Sequence, residues 1–378
     1  MNTPPMATSA NEGGIAANMG YATTQLITLP AELLLEIVKH CADIGPNLKL
    51  SDLSLVARCL RPMCIPYLFR TMQLSTRESL LQGQLRNIAG KRDILNCVRV
   101  LNLYTEGPVG SSYTPAFFPN NSSICEPETA GRFVEFLLSL PNLEDVRLDM
   151  RFQGKTMVAP LRREIHWHSM TLPLVKALNI PVVTMISIIP DIFPNLRALS
   201  LNIKSSPYRT PYLLEVAQKL QLDYLEVYKL NWRMSDIQEL DGLFGSVSHL
   251  TIGGDLGASR NNPWGLTAVM RTFRNFHNLR VLALTDQRWT EKRSIQVRGF
   301  NRACDMRSSL LPANAFHPER GRRLDIAWYY FFHYPKLEVI YLMDRMYVAH
   351  CCVPVRDLDR LVDVRVAESD EEICWPEV

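Results

Sequence analysis

The stretch "LRALSL", Leu196–Leu201, decides the fold. Its leucines stand at the first, fourth and sixth positions. Its second half alternates apolar and polar, the period of a strand with one buried face. Working outward, the same L-x-x-L-x-L core returns on both sides. Towards the amino terminus it reads "VKALNI" at Val175, "LEDVRL" at Leu143 and "VRVLNL" at Val98, and "FRTMQL" at Phe69 reads as an introductory copy. Towards the carboxyl terminus it reads "LDYLEV" at Leu222, "VSHLTI" at Val247, "LRVLAL" at Leu279, "LEVIYL" at Leu337 and, more weakly, "LVDVRV" at Leu361.

Several copies follow a helical stretch and a short turn. "GRFVEFLLSLPNLEDVRL", "VMRTFRNFHNLRVLAL" and "AWYYFFHYPKLEVIYL" share that plan. Helix, turn and strand recurring every ~20–30 residues is the leucine-rich-repeat signature. One unit cannot bury its own apolar face, but a stack of neighbours can. The expected fold class is therefore α/β: a short amino-terminal helical module, then an irregular leucine-rich-repeat solenoid with a curved parallel sheet and outer helices. The asparagine that follows the strand in many such repeats is mostly missing. Insertions are expected at "YTEGPVGSSYTPAFFPNNSSICEPE", from Tyr104, and at Gln287 to Arg323.

The expected segments are a disordered tail at 1–25, a helical module at 26–74, the repeat domain at 75–367 and an acidic tail at 368–378. The module opens with "TLPAELLLEIVKHC", Thr28–Cys41. Pro30 suits a first helical position, because its missing N–H would be unpaired there. That places Leu29 at the cap, where leucine offers no side-chain oxygen. At helical steps Leu33, Ile37, Cys41, Leu34 and Val38 span roughly 140°, and Leu35 widens the arc to about 200°, against the ~100° one core requires. In "LKLSDLSLVARCLRPM", Leu50, Leu53, Val56, Ala57 and Leu60 share a helical face while Leu55 points elsewhere, and Pro62 and Pro66 read as bracketing a turn.

These residues resemble an F-box. That family motif opens Leu-Pro-x-Glu-Leu-Leu, continues to an Ile-Leu pair and ends Leu-x-x-Val-Cys-Arg. The matching positions are Leu29, Pro30, Glu32, Leu33, Leu34, Ile37, Val38, Leu53, Val56, Arg58 and Leu60, within Thr28 to Leu74. The connection "ADIGPNLK" is longer than usual, and Ala57 stands where Cys is common. With the irregular repeats behind it, the chain is similar to fungal F-box/leucine-rich-repeat proteins. The resemblance implies docking on the Skp-type adaptor, and through it a cullin, of an SCF ubiquitin ligase. The implied docking residues are Leu29, Pro30, Leu33, Ile37, Leu53 and Val56.

Composition narrows the remaining classes. The chain has 378 residues, 47% hydrophobic and 21% charged, ordinary for a globular protein. A net charge of +3 does not argue for nucleic acid or an acidic membrane. No stretch reaches the ~20 apolar residues of a membrane span, and "IPVVTMISIIPDIF" is broken by Pro181 and Pro190. The nine cysteines include no C-x-x-C pair and read as reduced thiols. A cytoplasmic or nuclear location is expected.

No catalytic constellation emerges, and no metal or cofactor is expected. His166 and His168 of "HWH" alternate like a strand but lack a third ligand. "HCC", His350–Cys352, puts its adjacent cysteines on opposite faces of an extended chain. "IGGDLGASR" at Ile252 reads as a turn and not as a phosphate cradle. The basic insertion from Arg288 to Arg323 reads as a solvated loop before it reads as a grip on an acidic partner.

The expected function is a non-catalytic substrate-recognition subunit, with a target protein held on the sheet. Residues between the core leucines face away from the core, and Tyr and Arg are enriched in binding hot spots. The expected target-facing residues are Tyr104, Arg147, Asp149, Asn202, Glu226, Tyr228, Thr285 and Tyr341. The alternative is a leucine-rich-repeat scaffold without a ligase role, whose amino-terminal helices only cap the stack.

Overall fold

The structure is a computed structural model that describes residues 28–43, 50–106, 127–150, 158–180, 183–203, 210–255, 258–259, 262–263, 276–285, 318–343, 349–357 and 360–369. Three helices come first: α1 (Ala31–Asp43), α2 (Leu50–Val56) and α3 (Leu60–Leu68). Strands and helices then alternate: β1 (Thr71–Arg77), α4 (Glu78–Ala89), α5 (Arg92–Leu95), β2 (Val100–Glu106), α6 (Pro127–Leu138), β3 (Asp145–Met150), α7 (Val158–Trp167) and β4 (Ala177–Ile180). A 3-10 segment (Val183–Ile188) runs into α8 (Ile189–Ile192), followed by β5 (Ala198–Ile203), α9 (Thr210–Lys219), β6 (Tyr224–Asn231), α10 (Met234–Leu243) and β7 (His249–Asp255). A small pair, β8 (Ala258–Ser259) and β9 (Asn262–Pro263), precedes β10 (Val281–Thr285), α11 (Pro318–His333), β11 (Val339–Met343), β12 (Ala349–Asp357) and β13 (Arg360–Ser369).

Among the described residues, all strands except β8 and β9 form one mixed sheet of eleven, ordered as they occur in the chain. From β1 through β7, β10 and β11, every neighbouring pair is parallel. Each of these strands begins at the third residue of a quoted core, from Thr71 after Phe69 to Val339 after Leu337. From Val98 onward, the first, fourth and sixth positions of those cores are buried. They share one continuous core with helix residues such as Leu81 and Leu85 of α4, Phe133 and Leu137 of α6, and Leu161 and Ile165 of α7. Those helical residues stand four apart on each helix, which turns one stripe of it to the sheet. Burying each such side chain contributes about 1.5–3 kcal/mol.

The turns before the strands are stitched by backbone. Arg70 C=O accepts from Arg99 N (2.8 Å) and Val100 N (3.0 Å), and Arg99 C=O accepts from Glu144 N (2.7 Å) and Asp145 N (3.0 Å). The pattern repeats through Glu144, Lys176, Arg197, Asp223 and Ser248 to Arg280, whose carbonyl accepts from Glu338 N (2.7 Å) and Val339 N (3.1 Å). This carbonyl ladder ties unit to unit, and asparagine side chains add to it in two of the turns, Asn142 donating to Asn96 C=O (2.7 Å) and Asn195 to Pro173 C=O (2.9 Å).

Four expectations need correction. "LVDVRV" at Leu361 is not a further parallel unit: β13 pairs antiparallel with β12, and β12 antiparallel with β11. His166 and His168 are not on a strand. His166 lies in the last turn of α7, where residues two apart do not face each other. The stretch from Leu50 to Leu60 is two helices broken at Ala57–Cys59, and Pro62 and Pro66 lie within α3. Pro62 sits in the first turn, where a missing N–H is harmless. Finally, "IGG" is strand and not turn: Gly253 and Gly254 belong to β7, and Gly254 has φ 109° beside a register shift between Lys229 and Asn231.

The sheet begins at Thr71, inside the stretch read as the helical module, and β13 reaches Ser369, inside the stretch read as the acidic tail. The expected tail at 1–25, most of the insertion after Tyr104 and nearly all of the one from Gln287 lie outside the described residues, although α11 begins at Pro318.

Candidate functional site

Two surfaces collect the residues singled out in the sequence. The first is on the amino-terminal helices. Leu34 and Val38 of α1, Ala57, and Leu60 and Cys64 of α3 form a small core of their own, separate from the sheet core. Leu34 N donates to Pro30 C=O at 3.1 Å, so Pro30 takes the capping position and Ala31 the first helical one, a residue later than expected. Leu29 and Leu53 are half-buried against this small core. Pro30 is exposed and Ile37 half-buried. Leu33 and Val56 are 51% and 47% exposed. Leu35 and Leu55, outside the implied docking set, are 44% and 78% exposed. Four large aliphatic side chains thus face water on two short helices, more than scattered exposure requires.

The second surface is the sheet face opposite the core. Arg147, Glu226 and Tyr341 share one row across the strands, in which Glu226 stands between Ser200 and Thr251. Tyr104, Asp149, Asn202, Tyr228 and Thr285 stand in the next row. Tyr104, Arg147, Glu226, Tyr228 and Tyr341 are half-buried, while the side chains of Asp149, Asn202 and Thr285 lie outside what the structure describes.

A third row on the same face was missed: Asp145, Tyr224 and His249, each two residues before the selected row. The alternation carried that signal, because the third position of a core shares its face with the fifth. Asp145 Oδ2 accepts from Arg147 Nε (3.0 Å) and Nη2 (2.8 Å). Burial pushes the Asp145 carboxyl up, against the opposing pull of Arg147. Burial also pushes Glu226 up, against a hydrogen bond from Ser200. The Tyr224 and Thr251 hydroxyls are 3.2 Å apart, and burial together with the Glu226 charge holds the Tyr224 hydroxyl protonated. His249 Nδ1 meets Ser248 Oγ at 2.8 Å, and burial lowers its pKa. The face is therefore a sheltered array of donors and acceptors around aromatic rings.

No protein-family model matches the chain, and no curated protein matches it. Among the described residues, no group of three His, Cys, Asp or Glu could hold a metal ion, and no helix is long and apolar enough to cross a membrane. On β12, Cys351 is half-buried and Cys352 fully buried, as adjacent positions on opposite faces require.

Proposed function

We propose that the chain is the substrate-recognition subunit of an SCF-type ubiquitin ligase, with an F-box in the amino-terminal helices and a leucine-rich-repeat solenoid behind it. The helices dock a Skp-type adaptor, and through it a cullin. The sheet face holds a target protein. The chain does no bond chemistry and needs no cofactor. Its contribution is proximity, which turns a bimolecular encounter into an effectively intramolecular one. The work is cytoplasmic or nuclear and involves neither nucleic acid nor membrane.

The observation that carries this reading is the apolar exposure of Leu33 and Val56 on helices that already own a complete small core. A helical module with its core satisfied has no internal use for these side chains, and an adaptor groove supplies one. The alternative, a scaffold whose helices only cap the stack, draws support from Leu29 and Leu53, which turn towards the module's own core.

Co-expression with a Skp-type adaptor separates the two. A stable complex that the pair Leu33→Asp and Val56→Asp abolishes, with the melting temperature unchanged, supports the ligase reading. A folded chain that forms no complex overturns it.

A further inference from the structure

The sheet changes direction at β11, and the change leaves a notch. The β11–β12 ladder ends at Ile340–Cys352, whereas β12 stays paired with β13 as far as Asp357. Among the described residues, Val353 to Arg356 therefore pair with β13 alone, and Val353, Pro354 and Arg356 border a cavity. Pro354, which has no N–H, lies two residues past the last β11 pair and stays opposite Val364 of β13. The cavity has a volume of about 580 Å³ and lies between this stretch of β12 and the turns before β10 and β11. That size is within the usual range for ligand clefts.

Its walls are cationic above an apolar floor. Arg280, Lys336 and Arg356 line it, against Glu338 alone of opposite sign. The Arg280–Glu338 pair is exposed and loose, at 3.7 Å. Lys336 Nζ donates to the Asn278 amide oxygen at 3.2 Å, and Arg356 Nη2 reaches back to Leu337 C=O at 3.4 Å. Those two cations are thus engaged by neutral oxygens among the described residues. Val353, 42% exposed, and Pro335 supply apolar contact.

We infer that this notch binds a short extended peptide carrying carboxylates, laid along the free side of β12 with its acidic groups at Lys336, Arg356 and Arg280. Apart from Pro354, which offers only its carbonyl, open strand backbone takes main-chain hydrogen bonds by strand addition, and the guanidinium and ammonium groups select for anionic side chains. The inference does not depend on adaptor docking by the amino-terminal helices.

The test uses the full chain and a fluorescein-labelled acetyl-Glu-Val-Glu-Val-Glu-amide peptide, followed by anisotropy. The peptide is expected to bind, its Gln-for-Glu counterpart not to bind, and the double variant Lys336→Gln, Arg356→Gln to lose affinity by about tenfold or more. Arg132→Gln, a cation on exposed α6, is expected to change nothing. Absence of binding to the wild-type chain overturns the inference, as does undiminished binding to the double variant. Displacement by inorganic phosphate at equal charge also overturns it, because the site then takes any anion. Hydrogen exchange provides a second reading that needs no variant. Peptide is expected to slow exchange in Val353–Asp357, and unchanged exchange there under saturating peptide rejects strand addition.

Discussion

The Lys229 ammonium lies against the Asp236 carboxylate, with only 12% and 9% of their side chains exposed. The same carboxylate accepts the Arg233 N–H at 2.8 Å and so caps the start of α10. One acid thus joins β6 to the helix that follows it. Removing one partner of a buried pair leaves the other charge without compensation. Asp236→Ala is expected to cost about 3–5 kcal/mol, read by urea unfolding. Asp236→Asn, which keeps a cap oxygen, is expected to recover only part of the loss.

The two faces of the amino-terminal helices predict opposite outcomes. Leu60 is 1% exposed in the small core, so Leu60→Ala is expected to cost about 2–5 kcal/mol in that module. Leu33→Ala faces water and is expected to stay within about 0.5 kcal/mol of wild type. Hydrogen exchange of α1 to α3 reads both. Equal losses would show that Leu33 has a structural role instead of a free surface.

Glu226 gives a pH dependence whose sign is set by burial. Its folded-state pKa is raised, so as pH climbs above the ordinary carboxylate range, from about 4.3, the unfolded chain releases the proton first. Stability contributed by this group is present at low pH and falls as pH rises towards the folded-state pKa. Glu226→Gln is expected to flatten that slope, gaining on wild type at neutral pH relative to acid. Denaturant midpoints across the range test it, and parallel curves for the two proteins would contradict it.

Thiol reactivity is expected to sort by shelter. Cys59 is exposed, whereas Cys64 is fully buried and its thiol is pushed up by burial and by neighbouring Cys41. Thiolate is the reacting form. Brief alkylation followed by mass spectrometry is expected to label Cys59 first and Cys64 only after denaturant is added.

Gly254 holds φ 109°, which L side chains rarely adopt. Gly254→Ala is expected to cost about 1–2 kcal/mol, measured by thermal unfolding. Nearby, Trp232 Nε1 donates to Gly253 C=O at 2.9 Å in a buried setting, so Trp232→Phe is expected to cost about 1 kcal/mol from the bond alone.

The positions of the parallel strands were readable in the leucines. From Phe69 to Leu337, strand starts follow the quoted cores at a constant offset, because each core encodes both its face and its place in the stack. The reading failed at Leu361, since alternation has the same period in parallel and antiparallel strands. The difference lies in what comes before: the element ahead of Leu361 is the strand β12 and not a helix. "HWH" failed for a related reason. Leu161 and Ile165, four apart and both buried, carry the helical period that the histidines obscured. Of the sheet face, two rows were foreseen. The row of Asp145, Tyr224 and His249 was missed because those side chains stand at the third position of each core, ahead of the alternating half that drew attention. The notch at β12 had no signal in the sequence, because it arises from where the β11–β12 ladder ends.

The carbonyl ladder also sets what each parallel strand needs from its neighbours. A helix–strand unit placed between β1 and β11 finds a turn carbonyl waiting on one side and supplies its own on the other. Among the described residues, the reversed strands β12 and β13 follow no such turn, so the ladder of turn carbonyls ends at Arg280, and the hairpin is held to β11 by strand pairing instead.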